Sequence, residues 1–194
     1  MIFEDAVMQK LSISFLGKDG PGVVATVSQG LSDNKCNILQ VTQTILGAEF
    51  AAIFIVDVPD DLTMAFLQQR LEESLRSEGH DISVLIRQAS EGAWSTKRPC
   101  QPYVVTTDGQ DGPGLISTMA RVFARHNVNI ENLKAVLGHG GENHALFVFE
   151  VEVPEEQDLG RLNREIRSAA RPLNLNVSMQ HRDIFEAMHR ITDF

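Results

Sequence analysis

The tetrapeptide DGPG occurs twice in this chain of 194 residues, and this repetition restricts the folds that the chain can adopt. The first copy covers residues 19–22 and the second covers residues 111–114, so the two lie 92 positions apart. In both copies a β-rich run precedes the tetrapeptide and a helix-like run follows it. We therefore expect two units of the same fold.

The 92-residue offset aligns further residues of the two halves. The matched pairs are Gly17 with Gly109, Asn37 with Asn129, and Ile38 with Ile130. Beyond the segment HGGENH, residues 139–144, the offset becomes 95, and Pro59 then matches Pro154. The second half therefore has three more residues in one loop. Two unrelated halves would not stay aligned over this length, so the sequence indicates a duplication.

Each half shows the same order of predicted elements, βαββαβ. Strand-like runs at Leu11–Leu16 and Tyr103–Thr107 precede helix-like stretches at Pro21–Lys35 and Pro113–Asn127. The apolar positions of the first helices are Val24, Val27 and Leu31, and Ile116, Met119 and Phe123; those of the second helices are Met64, Leu67 and Leu71, and Leu159, Leu162 and Ile166. This pattern predicts the α+β class, as two ferredoxin-like βαββαβ domains, each with an antiparallel sheet and its helices on one face.

The domain boundaries follow from the segment between the repeats. We expect an N-terminal domain at residues 1–87, a linker at 88–101, which is polar and without period, and a C-terminal domain at 102–194. Trp94, the only tryptophan, is expected to pack against one domain. The chain is expected to end in a short helix whose apolar stripe is Ile184, Met188 and Ile191. That stripe indicates docking on the domain or contact with a second subunit.

The repeated turn has two interpretations. Proline is typical of the first helical position, so the motif can serve simply as a helix start. Gly22 and Gly114 would then lie just inside their helices, where glycine costs about 1 kcal/mol relative to alanine. Because both halves accept this cost, and glycine leaves first-turn N–H groups uncovered, the motif also predicts a carboxylate site. Asn37 and Asn129 are expected to come near the helix starts, where an amide can contact both ends of a zwitterion.

The strand, the DGPG turn, the helix and the Asn-Ile pair together resemble the ACT domain, a small βαββαβ module that binds amino acids. The resemblance covers roughly residues 10–87 and 102–182. Two such domains without a catalytic domain resemble the family of the glycine cleavage system transcriptional repressor and related tandem ACT proteins. One departure is glycine at positions 20 and 112, where many ACT loops carry a basic residue after the aspartate.

The resemblance implies a ligand site where two ACT domains meet, against the loop before the first helix and the start of the second strand. Carried over by position, the ligand-binding residues are Asp19, Gly20, Pro21, Gly22, Val23, Asn37 and Ile38, and Asp111, Gly112, Pro113, Gly114, Leu115, Asn129 and Ile130. Backbone N–H groups at the helix starts are expected to bind the ligand carboxylate. The aspartate is expected to face the ammonium group, and the asparagine to bridge the two.

The predicted function is therefore that of a non-catalytic regulatory protein. It is expected to bind a small amino acid and to relay this to a protein partner, in control of amino-acid or glycine metabolism, and it is compatible with a homodimer. Two alternatives stay open: a structural or dimerisation adaptor that binds no ligand, and a regulatory subunit of a metabolic enzyme. No nucleophile with a matching base is recognisable, so no catalytic residue and no cofactor are predicted.

The residues disfavour two other classes of site, a metal site and an RNA-binding surface. His139, Glu142 and His144 could hold a metal, but a Gly-rich hairpin turn explains them better and no metal site is predicted. RNA-recognition domains share the topology. The net charge of −9, with Glu150 and Glu152 on the outward side of a strand, disfavours contact with phosphates.

The compartment is predicted from what the sequence contains. No apolar run approaches the roughly 20 residues of a membrane span, so no membrane partner is expected. Cys36 and Cys100 show neither ligand spacing nor a disulfide framework, which indicates a reducing compartment. We therefore expect a cytoplasmic protein.

Overall fold

The computed structural model describes residues 8–90, 92, 98–138 and 143–190. The chain divides into two compact units, Met1–Glu91 and Gly92–Phe194. The elements of the first unit are β1 (Met8–Lys18), α1 (Val23–Asp33), β2 (Asn37–Leu46), β3 (Glu49–Pro59), α2 (Met64–Ser77) and β4 (Ile82–Gln88). Its four strands form an antiparallel sheet in the order β2-β3-β1-β4.

The second unit repeats this arrangement and adds a helix. Its elements are β5 (Cys100–Gln110), α3 (Leu115–Arg125), β6 (Asn129–Leu137), β7 (His144–Pro154), α4 (Leu159–Ala170), a 3-10 helix (Arg171–Leu173), β8 (Asn176–His181) and α5 (Arg182–Arg190). Its sheet has the order β6-β7-β5-β8 and is also antiparallel. The predicted α+β class, with two ferredoxin-like βαββαβ units, is confirmed.

Each unit has its own hydrophobic core between one sheet face and two helices. In β1 the alternate residues Leu11, Ile13 and Phe15 are buried, and they share one cluster with buried residues of α1 and α2. Side chains alternate between the two faces of a strand, so both helices cover the same face of the sheet. In β7 the buried residues also alternate, as predicted, while Glu150 and Glu152 lie on the opposite side.

The helix starts differ from the prediction by two residues. We expected helix-like stretches from Pro21 and Pro113, but α1 begins at Val23 and α3 at Leu115. The first residue of each helix, Val23 or Leu115, is buried and belongs to the stripe that faces the core. Val24 and Ile116, which were predicted to be core residues, are 41% and 40% exposed.

Two further segments lie outside the repeats, namely the expected linker at 88–101 and the expected C-terminal helix. Gln88 belongs to β4 and Cys100 to β5, so strands occupy both ends of the expected linker. Trp94 and Ile191 lie outside the described residues. Helix α5 contacts β5 and β8 of its own unit, and the Arg182 guanidinium lies 3.4 Å from the Glu152 carboxylate. The predicted apolar stripe does not pack on the domain at Ile184 and Met188, because these two residues are 56% and 55% exposed.

A helix that crosses a bilayer must be long and apolar. Within the described ranges, none combines the length and the apolar character that a membrane span needs.

Candidate functional site

The N-terminal corner, residues 19–22, joins the end of β1 to the start of α1. The Asp19 N–H donates to the carbonyl oxygen of Ala48 over 2.8 Å, so the corner rests on the turn between β2 and β3. Gly22 is the N-cap of α1 with φ of 98°, in the left-handed region that favours glycine. Pro21 therefore precedes the cap, and the prediction that it is the first helical residue is wrong.

The C-terminal corner, residues 111–114, has the same construction. The Asp111 N–H donates to the carbonyl oxygen of Asn143 over 2.8 Å, and Gly114 is the N-cap of α3 with φ of 89°. The Asp111 carboxylate accepts a hydrogen bond from the Gly112 N–H at 2.8 Å. This aspartate therefore shapes the turn, and the helix start has no side-chain cap.

Both helix starts present N–H groups that lack a helical acceptor. The first helical hydrogen bonds run from Thr26 to the Gly22 carbonyl and from Thr118 to the Gly114 carbonyl, each 2.9 Å long. The N–H groups of the first turn precede these bonds and lie at the positive end of the helix dipole. Val23 and Leu115 are the first residues of the two helices and belong to the predicted site. Their side chains point into the cores. Only their backbone can contact a ligand.

An open pocket of about 570 Å³ lies beside the C-terminal corner. This volume falls within the range of roughly 300–1,000 Å³ that is typical of small-molecule sites. Its lining residues are Asp111, Gly112, Gly114, Leu115, Ile116, Ser117, Ala135, Leu137 and Phe147. The Ser117 hydroxyl donates to the Gly114 carbonyl over 3.0 Å and adds a polar group next to the uncapped N–H groups. Helix start and strands together form a concave surface.

The pocket includes four of the predicted site residues and five that were not predicted. Asp111, Gly112, Gly114 and Leu115 line it, whereas Pro113 does not. The strand residues of the lining come from β6 and β7, and they reach the corner through strand pairing. Ala135 pairs with Phe147, and Leu137 pairs with Ala145, which pairs in turn with Gly109 at the end of β5. The sequence shows these residues as apolar but does not show which strands pair.

The asparagines of the predicted site lie at the other end of each sheet. Asn37 pairs with Asp57, which pairs with Lys10, whereas the corner follows Lys18. Eight residues of strand separate Lys10 from Lys18, a distance of about 26 Å. The expectation that the start of the second strand comes near the helix start is therefore not met within one unit.

The C-terminal half shows the same separation. Asn129 pairs with Glu152, and its amide donates to the Glu131 carboxylate over 2.7 Å. The neighbouring isoleucines, Ile38 and Ile130, pair with Val56 and Val151. Each Asn-Ile pair therefore begins its strand opposite the end of β3 or β7.

The N-terminal corner has different neighbours from the C-terminal corner. A Cβ atom built on Gly22 would lie 3.5 Å from Nε2 of His80, so an imidazole stands beside this helix start. Gln43 pairs with Ala52, at the place where Ala135 pairs with Phe147 in the second unit. Gly20 has open space around it, as Gly112 does. His80 was not predicted, because its approach to Gly22 depends on the packing of the segment before β4.

One polar cluster lies between α3 and α4, away from the corners. The ring of His126, only 5% exposed, has Nδ1 at 3.2 Å from the Gln157 amide oxygen and Nε2 at 3.0 Å from the Glu165 carboxylate. The hydrogen bonds from His126 and then Arg161 hold the pKa of Glu165 below its usual value. This cluster joins the two helices.

In the first unit, burial raises the pKa of the Cys36 thiol to about 11, so this cysteine is a packing residue.

Side chains that commonly ligate metals do not cluster in the described residues. Within that part of the chain, no group of three or more His, Cys, Asp or Glu side chains is placed to hold a metal ion. His144 lies in this part, with Nδ1 at 3.4 Å from the Asp108 carboxylate. His139 and Glu142 lie outside it.

Comparison with protein families identifies both units. The ACT domain model matches residues 9–85 and 101–180. A UPF0237 protein of Methanopyrus kandleri is 34% identical over 89 residues, which cover 45% of this chain and 96% of that protein. The glycine cleavage system transcriptional repressor of Escherichia coli is 30% identical over 126 residues, which cover 63% of this chain and 62% of the repressor.

Solved structures share the fold at lower sequence identity. A protein of unknown function from Galdieria sulphuraria has a TM-score of 0.72 and 21% identity, over 90% of this chain and 99% of that chain. A candidate glycine cleavage system transcriptional repressor has a TM-score of 0.62 and 20% identity, over 90% of this chain and 97% of that chain. At this level of identity the likeness concerns the fold alone.

Proposed function

Since this chain belongs to the ACT domain family through both of its units, we propose that it is a non-catalytic regulatory protein that binds a small amino acid. The observation that carries the proposal is the pocket at the C-terminal corner. It combines the N–H groups of an uncapped helix start with the carboxylate of Asp111. These groups suit the carboxylate and the ammonium of a zwitterion respectively.

The position of the asparagines adds a condition to this proposal. Within one unit about 26 Å separates an asparagine from the corner, which exceeds the span of any amino acid. The two sets of predicted residues can contact one ligand only if they come from different ACT units. We propose the corner as the primary site and the asparagine as a group that a second ACT unit supplies.

The proposed mechanism is linkage between ligand binding and a partner surface. A ligand that prefers one arrangement of the protein increases the population of that arrangement by its difference in affinity. A protein partner that recognises the same arrangement then binds more tightly. The similarity to a glycine cleavage system repressor supports amino-acid or glycine metabolism as the controlled process. The net charge of −9 supports action through a protein rather than through direct contact with nucleic acid.

The test is a screen of the intact protein against the common amino acids by thermal shift, followed by calorimetry. At least one amino acid is expected to raise the melting temperature, because a ligand that binds only the folded state stabilises it by mass action. Ala135→Trp fills the pocket from an exposed position and is expected to abolish the shift. Lys134→Trp places the same ring on the opposite side of β6 and is the control. No response to any amino acid would refute the proposal and favour the adaptor.

A further inference from the structure

The C-terminal pocket has a polar end and an apolar wall. The polar end is formed by Asp111, the Ser117 hydroxyl and the first-turn N–H groups of α3. The wall is formed by Ile116, Ala135, Leu137 and Phe147, whereas the side chain of Leu115, also in the lining, points into the core. Among the described residues of the lining, Asp111 is the only charged one. A zwitterion held at the polar end would direct its side chain towards the apolar wall.

The two units differ at the positions of this wall, which is apolar in the second unit. In the second unit Ala135 pairs with Phe147, and in the first unit the equivalent pair is Gln43 with Ala52. The aromatic residue of the first unit is Phe50, which lies two positions before Ala52 in β3 and so nearer the corner. The first unit therefore presents an amide and a small side chain where the second presents a methyl group and a phenyl ring.

A second difference lies at the helix starts. In the first unit the imidazole of His80 stands beside Gly22. Leu175 is the equivalent residue by position, since the His80 N–H donates to the Leu75 carbonyl and the Leu175 N–H donates to the Ala170 carbonyl, but Leu175 lies against Gly109 rather than Gly114. A Cβ atom on Gly22 would thus lie against an imidazole, whereas one on Gly114 would have the Ser117 hydroxyl as its neighbour, at 3.9 Å.

We infer, on the basis of the proposed function, that the C-terminal pocket selects an amino acid with an apolar side chain. Ala135, Leu137 and Phe147 are the residues that determine this specificity. Glycine has no side chain to contact the wall, and a polar side chain would lose hydrogen bonds with water there without replacement. We expect leucine to bind at least about tenfold more tightly than glycine or serine, since even one methylene group in an apolar pocket discriminates by roughly tenfold or more.

The experiment is isothermal titration calorimetry of the intact protein with leucine, phenylalanine, glycine and serine. Ala135→Gln gives the C-terminal wall the amide of the N-terminal unit, and it is expected to weaken leucine binding about tenfold. Gln43→Ala makes the reverse change in the first unit and is the matched control, with leucine affinity unchanged. Leu137→Gln is a second wall variant. Leu137 is 66% exposed, so its replacement tests the wall without disturbing the core.

The outcomes separate this inference from the proposed function. Tighter binding of leucine than of glycine, lost in both wall variants but not in Gln43→Ala, supports the inference. Tighter binding of glycine or serine, or equal effects of Ala135→Gln and Gln43→Ala, overturns the inference and leaves the amino-acid sensor standing. Absence of binding by all four amino acids, with a flat thermal screen, overturns the proposed function and the inference with it.

Discussion

Gly114 starts α3 in a conformation that other residues adopt only with strain. Its φ is 89°, and an added Cβ atom would lie 3.9 Å from the Ser117 hydroxyl, which is ordinary contact. The cost of Gly114→Ala is therefore backbone strain, about 1–2 kcal/mol of unfolding free energy. Urea unfolding monitored by circular dichroism measures this cost. Gly112→Ala is the control with little expected change, since no atom lies within 4 Å of its added Cβ. Equal stability of the two variants would contradict the assigned helix start.

The repeated glycines could be recognised from the sequence, but their roles could not. We placed Gly22 and Gly114 inside their helices, because proline is so often the first helical residue. A sequence does not display φ, and glycine is equally compatible with a weak helical position and a left-handed cap. Gly17 and Gly109 repeat for another reason. A Cβ atom on Gly109 would stand 2.7 Å from the Asn174 carbonyl oxygen, so close packing excludes a side chain there.

At the scale of the elements, a polar contact joins the C-terminal end of α3 to α4. His126 contacts the Glu165 carboxylate, and this contact lowers the pKa of Glu165 from its ordinary value of 4.5. A carboxyl group whose pKa is lower in the folded state stabilises that state above the ordinary pKa. The contribution decreases as the pH falls below 4.5 and through the folded-state pKa. It is absent once the group is protonated in both states.

Glu165→Gln tests this connection. We expect the variant to be less stable than the unsubstituted protein near pH 7, and the difference to shrink as the pH falls below 4.5. The measurement is urea unfolding at a series of pH values. Glu155→Gln removes an exposed carboxyl of the same unit and is expected to follow the unsubstituted protein at every pH. A difference for Glu165→Gln that does not change with pH would show that its charge is not what stabilises the helix pair.

The order of the elements could be predicted, but the position of the asparagines relative to the corners could not. The strands end at Pro59 and Pro154 as expected, because proline cannot donate to a ladder. Helices α1 and α3 have 11 residues each and span about 16 Å, so they carry the chain back along the sheet. A strand that follows such a helix begins far from the helix start. Periodicity shows which residues share a face but not which end of the sheet they occupy.

At the scale of the whole molecule, the duplication predicts the longer turn that supports the second corner, but it does not predict the wall of the pocket. The shift of offset from 92 to 95 is visible in the structure, where Asp19 donates to Ala48 and Asp111 donates to Asn143. Each corner thus rests on the turn that precedes β3 or β7. The wall of the pocket depends on strand pairing, which a single sequence does not specify. The residues contributed by α3 were therefore found in part, and those of β6 and β7 were not.

Each unit contains what a folded domain requires, so each half of the chain should fold by itself. Among the described residues, the buried cluster of the first unit draws on residues 11–86, and that of the second on residues 103–179. A four-stranded sheet with its own core is sufficient for a cooperative unit. We expect fragments 1–91 and 92–194 each to show strand and helix signals by circular dichroism and a sigmoidal urea transition. The denaturant slope of each fragment should be about half that of the intact chain, because this slope increases with the surface exposed on unfolding. A fragment without a cooperative transition would mean that its core is incomplete, and the chain would then fold as one unit despite its repeated sequence.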